Sequence, residues 1–311
     1  MKTKHRSILT YLTAGILAFS GFSAHAEKKE ERTEHVKPKE DFASKMKAYL
    51  IKVEKNVETF YADMSGVTVG IGCRIESLSD FLKLDIRKGN RKLTPAQKTE
   101  LYKVMSQSAK SKKNGTILDA SYTVTNESRN TFFQKKYNQA VEDCKKHFEK
   151  YDNLPESIKM LYTDMMFNMG EARFNPRPTR WPYFFSELRK KNPDVRKLVY
   201  ESHRRGIPER NAQAAFLLLE KECQKIVPNF KQYDENTQKA IAYAFSRVPP
   251  DKEIEQTMPN FIKALKKGDW AKIKTEFPIE GMADDTKKWI RDTFAAGKIT
   301  RLPVKEISNQ R

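Results

Sequence analysis

The chain has 311 residues, 38% of them hydrophobic, with 59 Lys and Arg against 40 Asp and Glu and a formal net charge of +19. That length supports one large domain or two modest ones with a sizeable core, and only the N-terminus holds an extended apolar run, which excludes a protein that spans the membrane repeatedly. So positive a surface draws anionic polymers, whether nucleic acid, acidic lipid or carboxylate-bearing cell wall.

Residues 1–26 read as a secretory signal peptide. Lys2, Lys4 and Arg6 precede an apolar run from Ile8 to Phe22, and Ala24-His25-Ala26 is a small-x-small cleavage site before Glu27. The run is short for a membrane span, and nothing after it approaches that length. The expected location is the periplasm or the cell exterior, without stable membrane insertion, and export argues against nucleic acid as partner. Residues 27–40, EKKEERTEHVKPKE, are almost wholly charged and read as a solvated linker.

From Asp41 the pattern changes. Phe42, Met46, Tyr49, Leu50 and Val53 recur at helical spacing with Asp41 as a cap, predicting an amphipathic helix that ends near Glu54. A strand region follows from Phe60 to about Arg74. In LTPAQ at 93–97, Thr94 suits an N-cap, Pro95 the first helical position and Gln97 the closure of a capping box, so a helix is predicted to about Ser108. Residues 109–131, polar around the alternating ILDASYTVT, predict a loop bearing a short strand or hairpin.

Helical patterns then run over 138–150, 155–169, 181–191, 193–203 and 208–226, and again from Asp234 to about Ala296, punctuated by Pro and Gly. WPYFFSELRK at 181 and MPNFIKALKK at 258 share Pro, Phe, Leu and Lys in register, and RRGIPER at 204 loosely resembles PIEGMADD at 278. Such matches fit a degenerate repeat of a helical lobe, and equally two amphipathic helices of similar length. The expected organisation is signal 1–26, linker 27–40, a folded domain over 41–230 and a helical extension over 231–311.

Three cysteines remain after export. Cys144 and Cys223, both on expected helices, are the better disulfide pair, with three buried thiols as the alternative. His35, His147 and His203 lie too far apart to form a metal-ligand motif, so no metal is expected.

The residues that carry chemistry cluster in EKNVETFYADMSGVTVGIGC, 54–73. Glu54 lies one turn beyond Leu50 and Ile51, at the edge of the apolar face, a setting that suits a general acid. In a continuous strand, Thr68, Gly70 and Gly72 would face away from Val67, Val69, Ile71 and Cys73, leaving a face almost free of side chains beside Asp63. Cleavage of a glycosidic bond needs a proton donor, a carboxylate facing the oxocarbenium-like centre or its attacking water, and a groove for sugars. Glu54, Asp63 with Thr68, and the glycine face could supply these in turn. The same residues also fit two surface charges beside a glycine-marked bulge or hairpin turn.

Glu54, then Phe60-Tyr61-Ala62-Asp63, Gly66 and Thr68-Val69-Gly70-Ile71-Gly72, resembles the active-site hairpin of the bacteriophage-type lysozymes, the muramidase family also found in bacterial endolysins. MMFNMGEARF at 165–174 resembles the family's Phe-Asn-x-Gly helix end, GIPERNAQAAFLL at 206–218 its Gly-x-Pro-x-Arg helix start, and LTPAQ the start of a long interlobe helix, so the resemblance covers about residues 42–225.

The resemblance implies an α+β, mostly α, lysozyme-like fold with a small β-hairpin lobe and a helical lobe, plus extra C-terminal helices. It also implies hydrolysis between N-acetylmuramic acid and N-acetylglucosamine in peptidoglycan. By position it implies Glu54 as general acid, Asp63 as the carboxylate that positions water or stabilises charge, and Thr68 as the hydrogen-bonding partner of Asp63. Gly70, Gly72, Asn168 and Arg210 would meet the glycan, although Asn168 also suits a helix cap and Arg210 a structural or solvated base. The implied partner is the peptidoglycan glycan strand, bound by a monomer with no metal or organic cofactor. Cys73 departs from the pattern, standing where many members carry His. Competing readings are a wall-binding protein without catalysis and a wall-targeting or membrane-active basic toxin.

Overall fold

The computed structural model describes residues 41–54, 56–63, 66–170, 181–204, 207–278 and 282–296. The signal peptide, the linker, the turn half of the MMFNMGEARF motif (171–174) and Gly206 lie outside the described residues.

The chain is α+β, mostly helical with one small antiparallel sheet. Helix α1 (Phe42–Glu54) starts as its sequence predicts, the Ser44 amide donating to Asp41 Oδ1 at 2.8 Å, and buries Met46, Tyr49 and Leu50. The strand region is not one strand. It folds as a meander of β1 (Val57–Asp63), β2 (Gly66–Gly70) and β3 (Cys73–Ile75).

Next come α2 (Leu78–Lys83) and the hairpin of β4 (Ile86–Lys88) and β5 (Arg91–Lys92), elements too short for their periodicity to show in the sequence. Helix α3 (Pro95–Ser111) opens on the full capping box of Thr94 and Gln97. The expected loop at 109–131 holds β6 (Ile117–Val124), which completes the sheet in the order β3-β2-β1-β6-β4-β5, and the start of α4 (Asn126–His147). That helix begins well before the predicted Asn138 because Thr125 caps it, accepting from the Ser128 amide.

The remaining helices follow the sequence pattern: α5 (Glu156–Met169), α6 (Pro182–Leu188), α7 (Val195–Glu201), α8 (Pro208–Ile226), α9 (Glu235–Ser246), α10 (Ile254–Thr257), α11 (Pro259–Lys267), α12 (Trp270–Glu276) and α13 (Asp284–Ala296). No helix among the described residues is long and apolar enough to cross a membrane.

Three apolar clusters hold these elements. One joins α1, the sheet, α3 and α4 around Phe60, Phe81 and Phe133. The second lies beneath α4 to α7 around Tyr162, Phe184 and Phe185. The third packs Ala212, Ala215, Leu219 and Cys223 of α8 against Phe245, Phe261, Ile290 and Phe294 of the later helices. Helix α8 therefore shares its core with residues beyond 230.

The pairing of Cys144 with Cys223 is not formed. All three cysteines are buried free thiols, Cys144 in the second cluster and Cys223 in the third. Two separate cores hold the pair apart.

The two stretches that share Pro, Phe, Leu and Lys both become helices with Pro in the first turn. Phe184, Phe185 and Leu188 are buried in α6, and Phe261, Ile262 and Leu265 at the same spacing in α11. Short 3-10 turns, Tyr151–Asn153 and Phe230–Gln232, lead into α5 and α9 alike. Asp194 caps α7 and Asp269 caps α12.

Candidate functional site

Glu54 ends α1 where the turn between β2 and β3 passes over it. Gly72 in that turn has φ +62°, and a Cβ built there would stand 2.6 Å from Glu54 Cδ. Only glycine meets both demands, the left-handed backbone and the carboxyl-bearing side chain against it. Gly70 has φ +65° and ends β2, and the space beside it holds the Arg129 side chain at 3.6 Å. The glycine face is therefore shared with the protein's own side chains. Glu54 lies against Gly72 and Arg129 against Gly70, because the chain turns at Gly70 and the strand alternation stops there.

Arg210, in the first turn of α8, forms a short ion pair with Glu54 Oε1 through Nη1. It also grips Asp164 of α5, with Nε and Nη2 donating to Oδ1 at 2.9 and 2.7 Å. Arg204 donates to Asp164 Oδ2 at 2.8 Å and to Asn168 Oδ1 at 3.2 Å. Asn211 locks the Arg204 backbone, accepting from its amide at 3.1 Å and donating to its carbonyl at 2.6 Å.

Charges alternate along the chain of contacts Glu54, Arg210, Asp164, Arg204. Asp164 has no exposed surface and Arg210 only 5%. Burial alone would raise the Asp164 pKa, but the Arg210 and Arg204 guanidiniums hold it below the usual carboxylate range. Burial would likewise lower Arg210, and Asp164 with Glu54 more than reverses it, keeping the guanidinium charged.

These contacts bear on the sequence reading in three places, at Arg210 by favouring the structural role among those left open. Glu54 is ion-paired rather than resting on apolar surface alone. Arg210 is neither solvated nor free for glycan but positions Glu54. Asn168 is held by Arg204, and the helix cap is Gly170, with φ +70°. Two further residues complete the network: Asp164, whose signal in the sequence is an acid inside the apolar run MLYTDMMFNM, and Arg204, which carries no such local signal.

A cleft of about 850 Å³ opens beside this network. Glu54, Asp63, Gly72 and Asn168 all line it, so four of the seven expected residues meet there. Asp63 ends β1, opposite Gly66 across the hairpin. Thr68, Gly70 and Arg210 are not among the lining residues.

Thr68 is fully buried between Tyr61 of β1 and Arg74 of β3, its cross-strand neighbours, and its Oγ1 makes no hydrogen bond among the described residues. The expected bond from Thr68 to Asp63 is not made. Cys73, also on the cleft, is an inert thiol: burial pushes its pKa up to about 12, and Sγ donates to the Ile71 carbonyl at 3.4 Å. Compared with known proteins, the chain matches no family model, no curated protein and no solved structure.

Proposed function

We propose that the protein is an exported peptidoglycan hydrolase of the lysozyme type, cleaving the bond between N-acetylmuramic acid and N-acetylglucosamine. The observation that carries this reading is that Glu54 and Asp63 line one cleft while a buried Arg210–Asp164 pair holds Glu54. A glycosidase needs two carboxyl groups flanking the scissile bond and a groove for the sugar chain.

Glu54 gives its proton to the leaving oxygen, and Asp63 faces the developing positive charge or the water that attacks it. Arg210 fixes the Glu54 side chain, and because Asp164 takes up much of the guanidinium's charge, Arg210 acts more as a clamp than as a free cation. Gly72 lets the turn close over that clamp. Asn168 borders the groove, with its amide nitrogen available to a sugar hydroxyl while its oxygen serves Arg204. The lysozyme-like arrangement of a sheet-containing lobe and a helical lobe, the export route and the monomeric state belong to the same proposal.

Glu54→Gln keeps a hydrogen-bonding side chain opposite Arg210 but has no proton to give. Turbidity clearing of purified peptidoglycan is expected to stop, with the circular dichroism spectrum and wall binding retained. Undiminished clearing by that variant would sink the assignment, and anhydro-muramic ends among the wild-type products would replace hydrolysis by transglycosylation.

A further inference from the structure

The cleft is lined by four bases and five carboxylates. Lys135 pairs with Asp80 and Lys136 with Glu76. Arg74 is different. It is exposed, it lines the cleft, and it makes no ion pair among the described residues, although Glu54, Asp63, Glu76, Asp80 and Asp143 line the same space.

Its position is nonetheless defined. Arg74 lies on β3 directly across from Thr68, in one cross-strand row with Tyr61. Its side chain lies over Gly66, where a Cβ would stand 2.6 Å from Nε and 2.9 Å from Cζ. Gly66 is itself opposite Asp63. The absence of a side chain at 66 thus gives the guanidinium a resting place beside the strand end that carries the second carboxylate of the proposed reaction.

A placed guanidinium without an acid partner offers two parallel N–H donors that match one carboxylate. Its exposure keeps the fork accessible to an incoming group, and the acids around it disfavour any anion that lacks such a partner.

We propose that Arg74 is a substrate-binding residue that takes a carboxylate carried by the glycan, the acidic substituent of N-acetylmuramic acid or of the peptide attached to it. The substrate class rests on the proposed function, whereas the carboxylate preference rests on Arg74 itself. On this inference the cleft discriminates acidic from neutral glycans through one residue of β3.

The test measures binding, so it does not depend on Glu54 performing the chemistry. In the Glu54→Gln protein, affinities are measured for a soluble peptidoglycan tetrasaccharide with free carboxylates and for the same fragment with every carboxylate amidated. Adding Arg74→Ala is expected to weaken the acidic fragment on the order of tenfold, the worth of one charge-assisted hydrogen-bonded contact, and to leave the amidated fragment unchanged. Arg74→Lys, which keeps the charge and loses the fork, should give a smaller loss. Equal weakening of both fragments, or of neither, overturns the proposal for Arg74 and leaves the hydrolase reading standing. Failure of the parent protein to bind either fragment overturns both, and persistent clearing by Glu54→Gln overturns the catalytic assignment alone.

Discussion

Among the described residues, two stretches of this chain run through a similar order of elements, the second with the short helix α10 added, and differ in what they bury. Residues 151–226 pass from a 3-10 turn through α5, α6 and α7 to α8, and residues 230–296 pass from a 3-10 turn through α9, α11 and α12 to α13. Asn211, Ala215 and Leu219 are buried along α8, and Thr286, Ile290 and Phe294 at the same spacing along α13. The residue before each set is Arg210 in one and Asp285 in the other. Counted from the helix start, Tyr243 holds in α9 the place of Asp164 in α5. The first stretch thus carries a buried ion network and the second a tyrosine whose hydroxyl meets His203 Nε2 at 2.8 Å. Among the described residues the second stretch packs its helices without buried charge, so helix packing does not account for the network. A buried ion network is weak support for stability, and this one ends on Glu54.

The second stretch packs against the first through the third cluster, and removing it has the largest expected effect. A chain ending at residue 229 loses the helices that cover Ala212, Ala215, Leu219 and Cys223, all of which lie in the third cluster. Exposing that face of α8 also frees the helix that carries Arg210. The truncated protein is expected to show no cooperative thermal transition by circular dichroism. A sharp transition with intact binding of Glu54 to its clamp, seen as retained activity, would show instead that the second stretch is an appendage.

A narrower challenge exchanges one residue in each stretch. Asp164→Ala strands two buried guanidiniums, and removing one partner of such a network costs about 3–5 kcal/mol. Tyr243→Phe removes only a hydroxyl bonded to His203, worth about 1 kcal/mol. Urea unfolding measures both. Similar costs would mean that the network is as replaceable as the tyrosine, and the contrast between the stretches would lose its force.

How much of this the sequence showed depended on the range of the interactions. Helix α8 was legible from end to end because Pro208 opens it and its apolar residues recur at helical spacing, and the Thr94–Gln97 box marked α3 for the same local reason. The network joins residues 40, 46 and 156 positions apart, and no local pattern announces it. Gly70 and Gly72 were visible as special residues, but absence of a side chain reads equally as space for a ligand or space for the protein itself. Here Glu54 takes the space at Gly72 and Arg129 lies against Gly70, while Gly72 still borders the cleft. Thr68 lies on the expected hairpin, yet it is fully buried and its hydroxyl makes no bond to Asp63, a matter of strand order and register that spacing alone does not fix. Hairpin β4–β5 is too short to show a period, and the cysteine pairing failed because burial of thiols in separate cores leaves no trace in their spacing.

The smallest expected effect concerns the contact between the two stretches. His203 is largely buried against Tyr243 of α9, and burial first, then the Arg247 and Arg204 guanidiniums, push its pKa from 6.5 down to about 4. Above pH 6.5 the imidazole is neutral in folded and unfolded chains alike, and its contribution is complete. Between pH 6.5 and about 4 the unfolded chain takes up a proton that the folded chain refuses, so stability declines as pH falls through this window, by at most about 1.4 kcal/mol per unit and by less because the ring is partly exposed. Asp164 also has a depressed pKa, but its contribution is present above the ordinary carboxylate value and is lost only on further acidification. The two groups therefore act in successive windows. His203→Gln should flatten the fall of the urea midpoint between pH 6.5 and 4.5 while leaving the steeper loss at lower pH in place. Parallel midpoint curves for the two proteins would mean that the histidine keeps an ordinary proton affinity and that the contact between the stretches is wetter than the geometry describes.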